Sequence, residues 1–145
     1  QLGVLQKKQG KSKIAITTLK KVIEIKPDHD KTWFTLGTAY ETDGLSEQAI
    51  EHYSKAIELN PGYSKAYGNL GKLLTERNEL KQAESILKTA IQIDPEYADG
   101  FMRLGLLYLQ EENYLDAAEN LNISTTLDKK DFNKFAESTA MKPPL

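Results

Sequence analysis

The feature that most constrains this chain is a spacing: the same residue types return every 34 positions. Leu2-Gly3, Leu36-Gly37, Leu70-Gly71 and Leu104-Gly105 recur at that interval. So do Ala15, Ala49, Ala83 and Ala117, while Pro27, Pro61 and Pro95 punctuate the ends of three periods. Trp33, Tyr67 and Phe101 share one aromatic slot. A fixed internal period of this length marks a stacked array, in which one repeat cannot bury its apolar face alone and neighbours must cover it.

The most regular copy runs from Trp33 to Pro61 and reads as two helices. Trp33, Leu36, Gly37 and Tyr40 fall at helical spacing, and Ala49, Tyr53, Ala56 and Ile57 do so further on. Gly44 suits the left-handed conformation that ends a helix, and Ser46 is a good N-cap for the next. Proline disfavours the α region in the residue before it, so Asn60-Pro61 stops the second helix. Gly10, Gly44 and Asn78 lie one period apart and all tolerate positive φ, which predicts a tight turn at each. Helix pairs are expected at roughly 1–9 and 12–25, 30–43 and 46–59, 64–77 and 80–93, and 98–111 and 114–127.

A 34-residue helix–turn–helix period with these residues resembles the tetratricopeptide repeat family. The match is full at Trp33, Leu36, Gly37, Tyr40, Ala49, Tyr53, Ala56 and Pro61. It is nearly so at Tyr67, Leu70, Gly71, Leu74, Ala83, Leu87, Ala90 and Pro95. The last copy carries Phe101, Leu104, Gly105, Tyr108, Ala117, Leu121 and Ser124, and departs where Lys129 replaces proline. The resemblance implies an all-α, right-handed superhelical solenoid of antiparallel helix pairs. As a single domain over 1–145 it divides into a partial repeat (1–29), full repeats (30–63, 64–97 and 98–130), and a short capping helix with a tail (131–145). Phe135 stands in the aromatic slot of Trp33, Tyr67 and Phe101, but Ser138-Thr139 replaces Leu-Gly, which favours a cap over a fifth repeat. The aromatic that should precede Leu2 is missing, so the chain is read as an excerpt of a longer protein.

Physically, Gly37 and Ala49 are expected to let two helix backbones approach, with Trp33, Tyr40 and Tyr53 filling the volume between repeats. These are packing residues and say little about function.

Composition removes several function classes. A net charge of −2 lacks the dominant basic face of a general nucleic-acid binder. Seven Lys stand against only Glu24 and Asp28 in residues 1–29, read as a solvated helix face. No cysteine is present, and no apolar run approaches the ~18 residues of a membrane span. A soluble, cytoplasmic chain is the expectation. His29 and His52 have no metal-ligand spacing partner, and each Leu-Gly lies inside a helix rather than in a phosphate loop. Glu111-Glu112 and Glu76 with Glu79 read as solvated helix ends. His29 shares its slot with Tyr63 and Tyr97, which predicts packing at the repeat junction. The reading is therefore non-enzymatic, without cofactor or metal.

In this family the first helices line a concave face. The resemblance places Lys31, Phe34, Thr38 and Glu41 there from the second copy, and Lys65, Asn69, Lys72 and Glu76 from the third. The fourth adds Asp99, Met102, Arg103, Leu106, Leu109 and Gln110. Lys65, Asn69, Lys72 and Arg103 could hold a peptide backbone or carboxylate. Phe34, Met102 and Leu106 would supply apolar contact. Some family members clamp a chaperone's C-terminal carboxylate; Asn69 and Arg103 match that pattern, but Phe34, Thr38 and Asp99 do not, and the clamp is excluded.

Met102, Leu106 and Leu109 make the fourth repeat's first helix apolar nearly all round, so it should be covered on both sides. The helix around Phe132 and Phe135, a partner segment or second copy of the chain, or a neighbouring domain could each cover it. The expected function is a scaffold or adaptor that binds a protein or peptide in its groove. The alternatives are a self-association module acting through the apolar fourth repeat and the repeat arm of a larger enzyme.

Overall fold

A computed structural model describes residues 2–139, with side chains from Gln9 onward. Among the described residues seven helices follow one another: α1 (Leu2–Ile25), α2 (Asp30–Thr42), α3 (Ser46–Leu59), α4 (Ser64–Glu76), α5 (Leu80–Ile93), α6 (Ala98–Gln110) and α7 (Tyr114–Thr139). The described residues contain no strand. Helices α2 and α3, α4 and α5, and α6 and α7 pack as pairs; α1 packs on α2, α3 on α4, α5 on α6, and α4 on α6. This is the stacked all-α array that the period implies.

Prolines end three helices. α1, α3 and α5 each stop two residues before Pro27, Pro61 or Pro95, as the restriction on the preceding residue requires. The turn within each pair is a left-handed cap in three copies. Gly44, Asn78 and Glu112 have φ of 76°, 62° and 60°. The N–H groups of Gly44 and Leu45 donate to the carbonyls of Glu41 and Tyr40, and the same two bonds recur at Asn78-Glu79 and Glu112-Asn113. This arrangement satisfies carbonyls that the helix end would otherwise orphan. Ser46 is not the N-cap; Leu45 holds that position without a side-chain bond, because the backbone cap already fixes the chain's entry.

Glu112 bears a Cβ in a conformation that costs an L-residue roughly 1–2 kcal/mol. Glu112→Gly should therefore raise stability by about 0.5–1 kcal/mol, after allowing for the extra freedom glycine has when unfolded. A shift of the urea midpoint to higher concentration checks this.

The first and last repeats depart from expectation. Gly10 does not turn: α1 runs unbroken from Leu2 to Ile25. In the copies that turn, Tyr40, Leu74 or Tyr108 sits just before the cap and is buried, whereas the first copy has Gln6 in that slot. A fold-back there would bury little, so the helix continues. At the other end, residues 128–139 extend α7 instead of forming a separate capping helix. Lys129 stands where proline stopped the earlier copies, and Lys130 pairs with Glu96, tying the extension to the α5–α6 turn.

The core shows what the Leu-Gly glycines admit. A Cβ on Gly37 would lie 2.6 Å from the Tyr53 ring, one on Gly71 2.5 Å from Leu87, and one on Gly105 2.7 Å from Leu121. What each glycine admits is the side chain sixteen positions on, and at Gly105 the Ala117 carbonyl also comes within 3.2 Å. Trp33 packs against His52, which also meets Tyr40, and its indole N–H donates to the Pro27 carbonyl at 2.9 Å. His52 is thus half-buried between aromatic rings and not a bare surface residue. At the repeat junctions Tyr63 stacks on Phe34 at 4.9 Å, and Tyr97 lies against Gly68 and Gly100. His29, in the same slot, stays exposed, its Nδ1 2.6 Å from Thr32 Oγ1.

Candidate functional site

α2, α4 and α6 run side by side and form one face of the array. Along it, Thr38, Glu41, Asn69, Lys72, Glu76 and Arg103 line a polar hollow of about 630 Å³. Lys72, Glu76 and Arg103 also border a second hollow of about 320 Å³, whose other walls include Met102 and Leu106. The two share these residues and make one groove, polar over the second and third repeats and apolar at the fourth.

The polar part is a hydrogen-bonded chain that crosses three repeats. Lys72 Nζ on α4 pairs with Glu41 Oε1 on α2, with Glu76 Oε1 at 3.9 Å on its other side. Tyr53 reaches through from α3 and donates from its hydroxyl to Glu41 Oε2 at 2.6 Å. Asn69 Nδ2 donates to that hydroxyl at 3.3 Å, and Arg103 Nη2 donates to Asn69 Oδ1 at 3.3 Å. Arg103 Nε then bonds Asp99 Oδ2 at 2.6 Å, which also accepts from Tyr97 at 3.2 Å. The absence of a Cβ at Gly37 lets the Tyr53 ring lie where its hydroxyl meets Glu41.

This geometry changes the reading of the cations. Lys72 and Arg103 are not unpaired charges awaiting a carboxylate, because Glu41 and Asp99 already hold them. With Glu76, the groove carries three acids against two bases, so it offers patterned donors and acceptors rather than a positive field.

Of the residues expected on this face, Thr38, Asn69, Lys72, Met102, Arg103 and Leu106 come together along the groove. Phe34 does not: its ring lies between Tyr53 and Tyr63 and packs on the core. Lys65 is exposed near the start of α4 and lines neither hollow. Tyr53, read from sequence only as packing, contributes its hydroxyl to the site. Its slot is leucine in the next two copies, Leu87 and Leu121, and that departure was the available signal. The helix around Phe132 and Phe135 does not cover the apolar end: Leu106 is 50% exposed, and Met102 and Leu109 are exposed as well.

Burial, with Glu41 alongside, pushes the Tyr53 hydroxyl far above the usual tyrosine range. Burial and then Asp99 push Tyr97 up to about 12. Both groups stay protonated in the folded chain after their unfolded counterparts ionise near about pH 10. The folded state then binds more protons, so stability falls as pH rises. The contribution is intact below about pH 10 and drains away through about pH 12. Urea midpoints measured across that window should drop, and Tyr53→Phe should flatten the slope.

Two family models described as tetratricopeptide repeat match the chain, one over residues 1–64 and the other over 42–99. Among solved structures, the crystal structure of MamA protein aligns over 92% of this chain and 70% of its own, with TM-score 0.73 and 22% identity. The structure described as MamA RS-1 ArsTM double mutant aligns over 84% and 68%, with TM-score 0.74 and 20% identity. MamA MSR-1 C2 gives 84% and 70%, with TM-score 0.70 and 21% identity. At these identities the likeness is one of fold. No curated protein sequence matches the chain.

Proposed function

The chain belongs to the tetratricopeptide repeat family, and from that premise we propose that it is a scaffold that docks a segment of a partner protein in the α2–α4–α6 groove. Repeats of this family make protein-interaction scaffolds rather than catalytic modules. The finer reading rests on one observation: a polar network and an apolar wall adjoin in a single groove and share Lys72, Glu76 and Arg103. A docked segment would place an apolar side chain against Met102 and Leu106. Its backbone would exchange hydrogen bonds with Thr38, Asn69, Lys72 and Arg103. A carboxylate on the segment must compete with Glu41 and Asp99, which disfavours strongly acidic ligands. Phe34 supports the groove from within the core, and Lys65 takes no part.

Peptides selected from a random display library on the purified chain test this. Lys72→Glu and Leu106→Asp should each weaken the selected peptides at least about tenfold, equivalent to ~1.4 kcal/mol. Lys81→Glu, on the exposed side of α5, should leave them unchanged. Equal binding to all three variants would sink the proposal.

A further inference from the structure

We infer that the apolar end of the groove is occupied by the α7 extension of a second copy of this chain. This shares with the groove reading the premise that Met102 and Leu106 face a docked segment, and it names the occupant of that end.

Two surfaces left open among the described residues carry the inference. The first is the stacking face of the fourth repeat. At the inner junctions, residues of this slot set are covered from the turn that leads into the next repeat: Phe34 by Tyr63 and Gly68 by Tyr97. Met102 is their counterpart one period on, and the residue that would cover it, Asp131, is carried away along α7. The second is the extension itself. Residues 128–139 project roughly 18 Å beyond Leu127 at 1.5 Å per residue, with Phe132 69% and Phe135 64% exposed. Phe132, Phe135 and Ala136 form a stripe on one helix face.

The repeat register says how the two would meet. Phe135 lies one period after Phe101 and holds the aromatic slot of a first helix. Glu137 lies one period after Arg103, as Arg103 lies one period after Asn69, to which it bonds. Stacked in that register, the extension would set Glu137 against Arg103, where it competes with Asp99 for the guanidinium. Its own α7 cannot deliver it there, because the helix is unbroken and Lys130 pins it to Glu96. A straight helix where a reversal would close the molecule favours exchange between copies. Lys134 and Ser138 occupy slots that are small or apolar in the inner repeats, so the junction is weak and the association reversible.

Light scattering over a dilution series of the wild-type chain should show a dimer that dissociates to monomer. Phe135→Asp, at an exposed position that leaves the fold intact, should raise the dissociation constant about tenfold or more, and Leu106→Asp likewise. Mixing the two variants should restore part of the association, since one copy keeps an intact face and the other an intact helix. Arg103→Glu with Glu137→Arg should associate better than either change alone. A wild-type monomer at every concentration would overturn the inference, and so would a dimer indifferent to Phe135→Asp, the mark of face-to-face pairing. Peptide binding lost in Lys72→Glu while the dimer persists separates this inference from the groove reading.

Discussion

Tyr53→Ala should be among the most damaging single substitutions in the chain, costing about 3–5 kcal/mol by analogy with other buried aromatic truncations. Tyr53 is fully buried and lies at the meeting of α2, α3 and α4. Its ring fills the space over Gly37 and packs on Phe34. Removing it opens a cavity that two rigid helices cannot close, and it strips Glu41 and Asn69 of their shared hydroxyl. Tyr53→Phe separates the two effects. Keeping the ring and losing only the hydroxyl should cost about 1 kcal/mol, so packing outweighs polarity here. Urea denaturation of both variants measures the ratio. Equal losses would mean that the hydrogen-bonded chain, not the ring, holds the second and third repeats together.

Gly71→Ala should also destabilise, by about 1–3 kcal/mol, although helix propensity alone predicts the opposite. Alanine in a helix interior is favoured over glycine by roughly 1 kcal/mol. Against this, the new methyl would sit 2.5 Å from Leu87 Cγ and 2.6 Å from its Cδ2. Leu87 is itself fully buried, so it has nowhere to move, and overpacking of this kind outweighs the propensity gain. Leu87→Ala alone should cost about 2–5 kcal/mol. The double variant should lose less than the sum, because the smaller partner gives the methyl room, and a thermodynamic cycle on the four proteins reads that coupling. Strict additivity would show that Gly71 is not there for Leu87.

The same residues show how much of the molecule could be read without coordinates. Helices α2 to α6 and the start of α7 lie within a residue of expectation, because the turns at Gly44 and Asn78 and the proline stops are local signals and the period carries them on to Glu112. Both ends diverged for the converse reason. Gly10 permits a turn but does not compel one, and a local glycine signal takes no account of Gln6 in the slot of Tyr40, where a fold-back has little to bury. Lys129 looked like a small departure from the family pattern, yet losing one proline let α7 run on to Thr139. In the groove, register brought Thr38, Asn69, Lys72, Met102, Arg103 and Leu106 to one face, since that follows from periodicity. It could not show that Glu41 and Asp99 already hold the cations, because pairing depends on side-chain reach across repeats. Phe34 and Lys65 lie outside the two hollows for a related reason: a slot assigns a face of a helix, not whether the side chain ends in the core or in solvent.

One pair of substitutions tests the groove most directly, because it parts function from folding. Glu41→Lys with Lys72→Glu keeps opposite charges facing each other across α2 and α4 but reverses which helix carries which. Glu41 also accepts from Tyr53, and Glu76 lies beside Lys72, so the swap should cost about 1–2 kcal/mol and leave the chain folded. If the groove docks a partner segment by its pattern of donors and acceptors, peptides selected on the wild-type chain should bind the swapped chain at least about tenfold more weakly. Undiminished affinity in the folded, swapped protein would contradict the account.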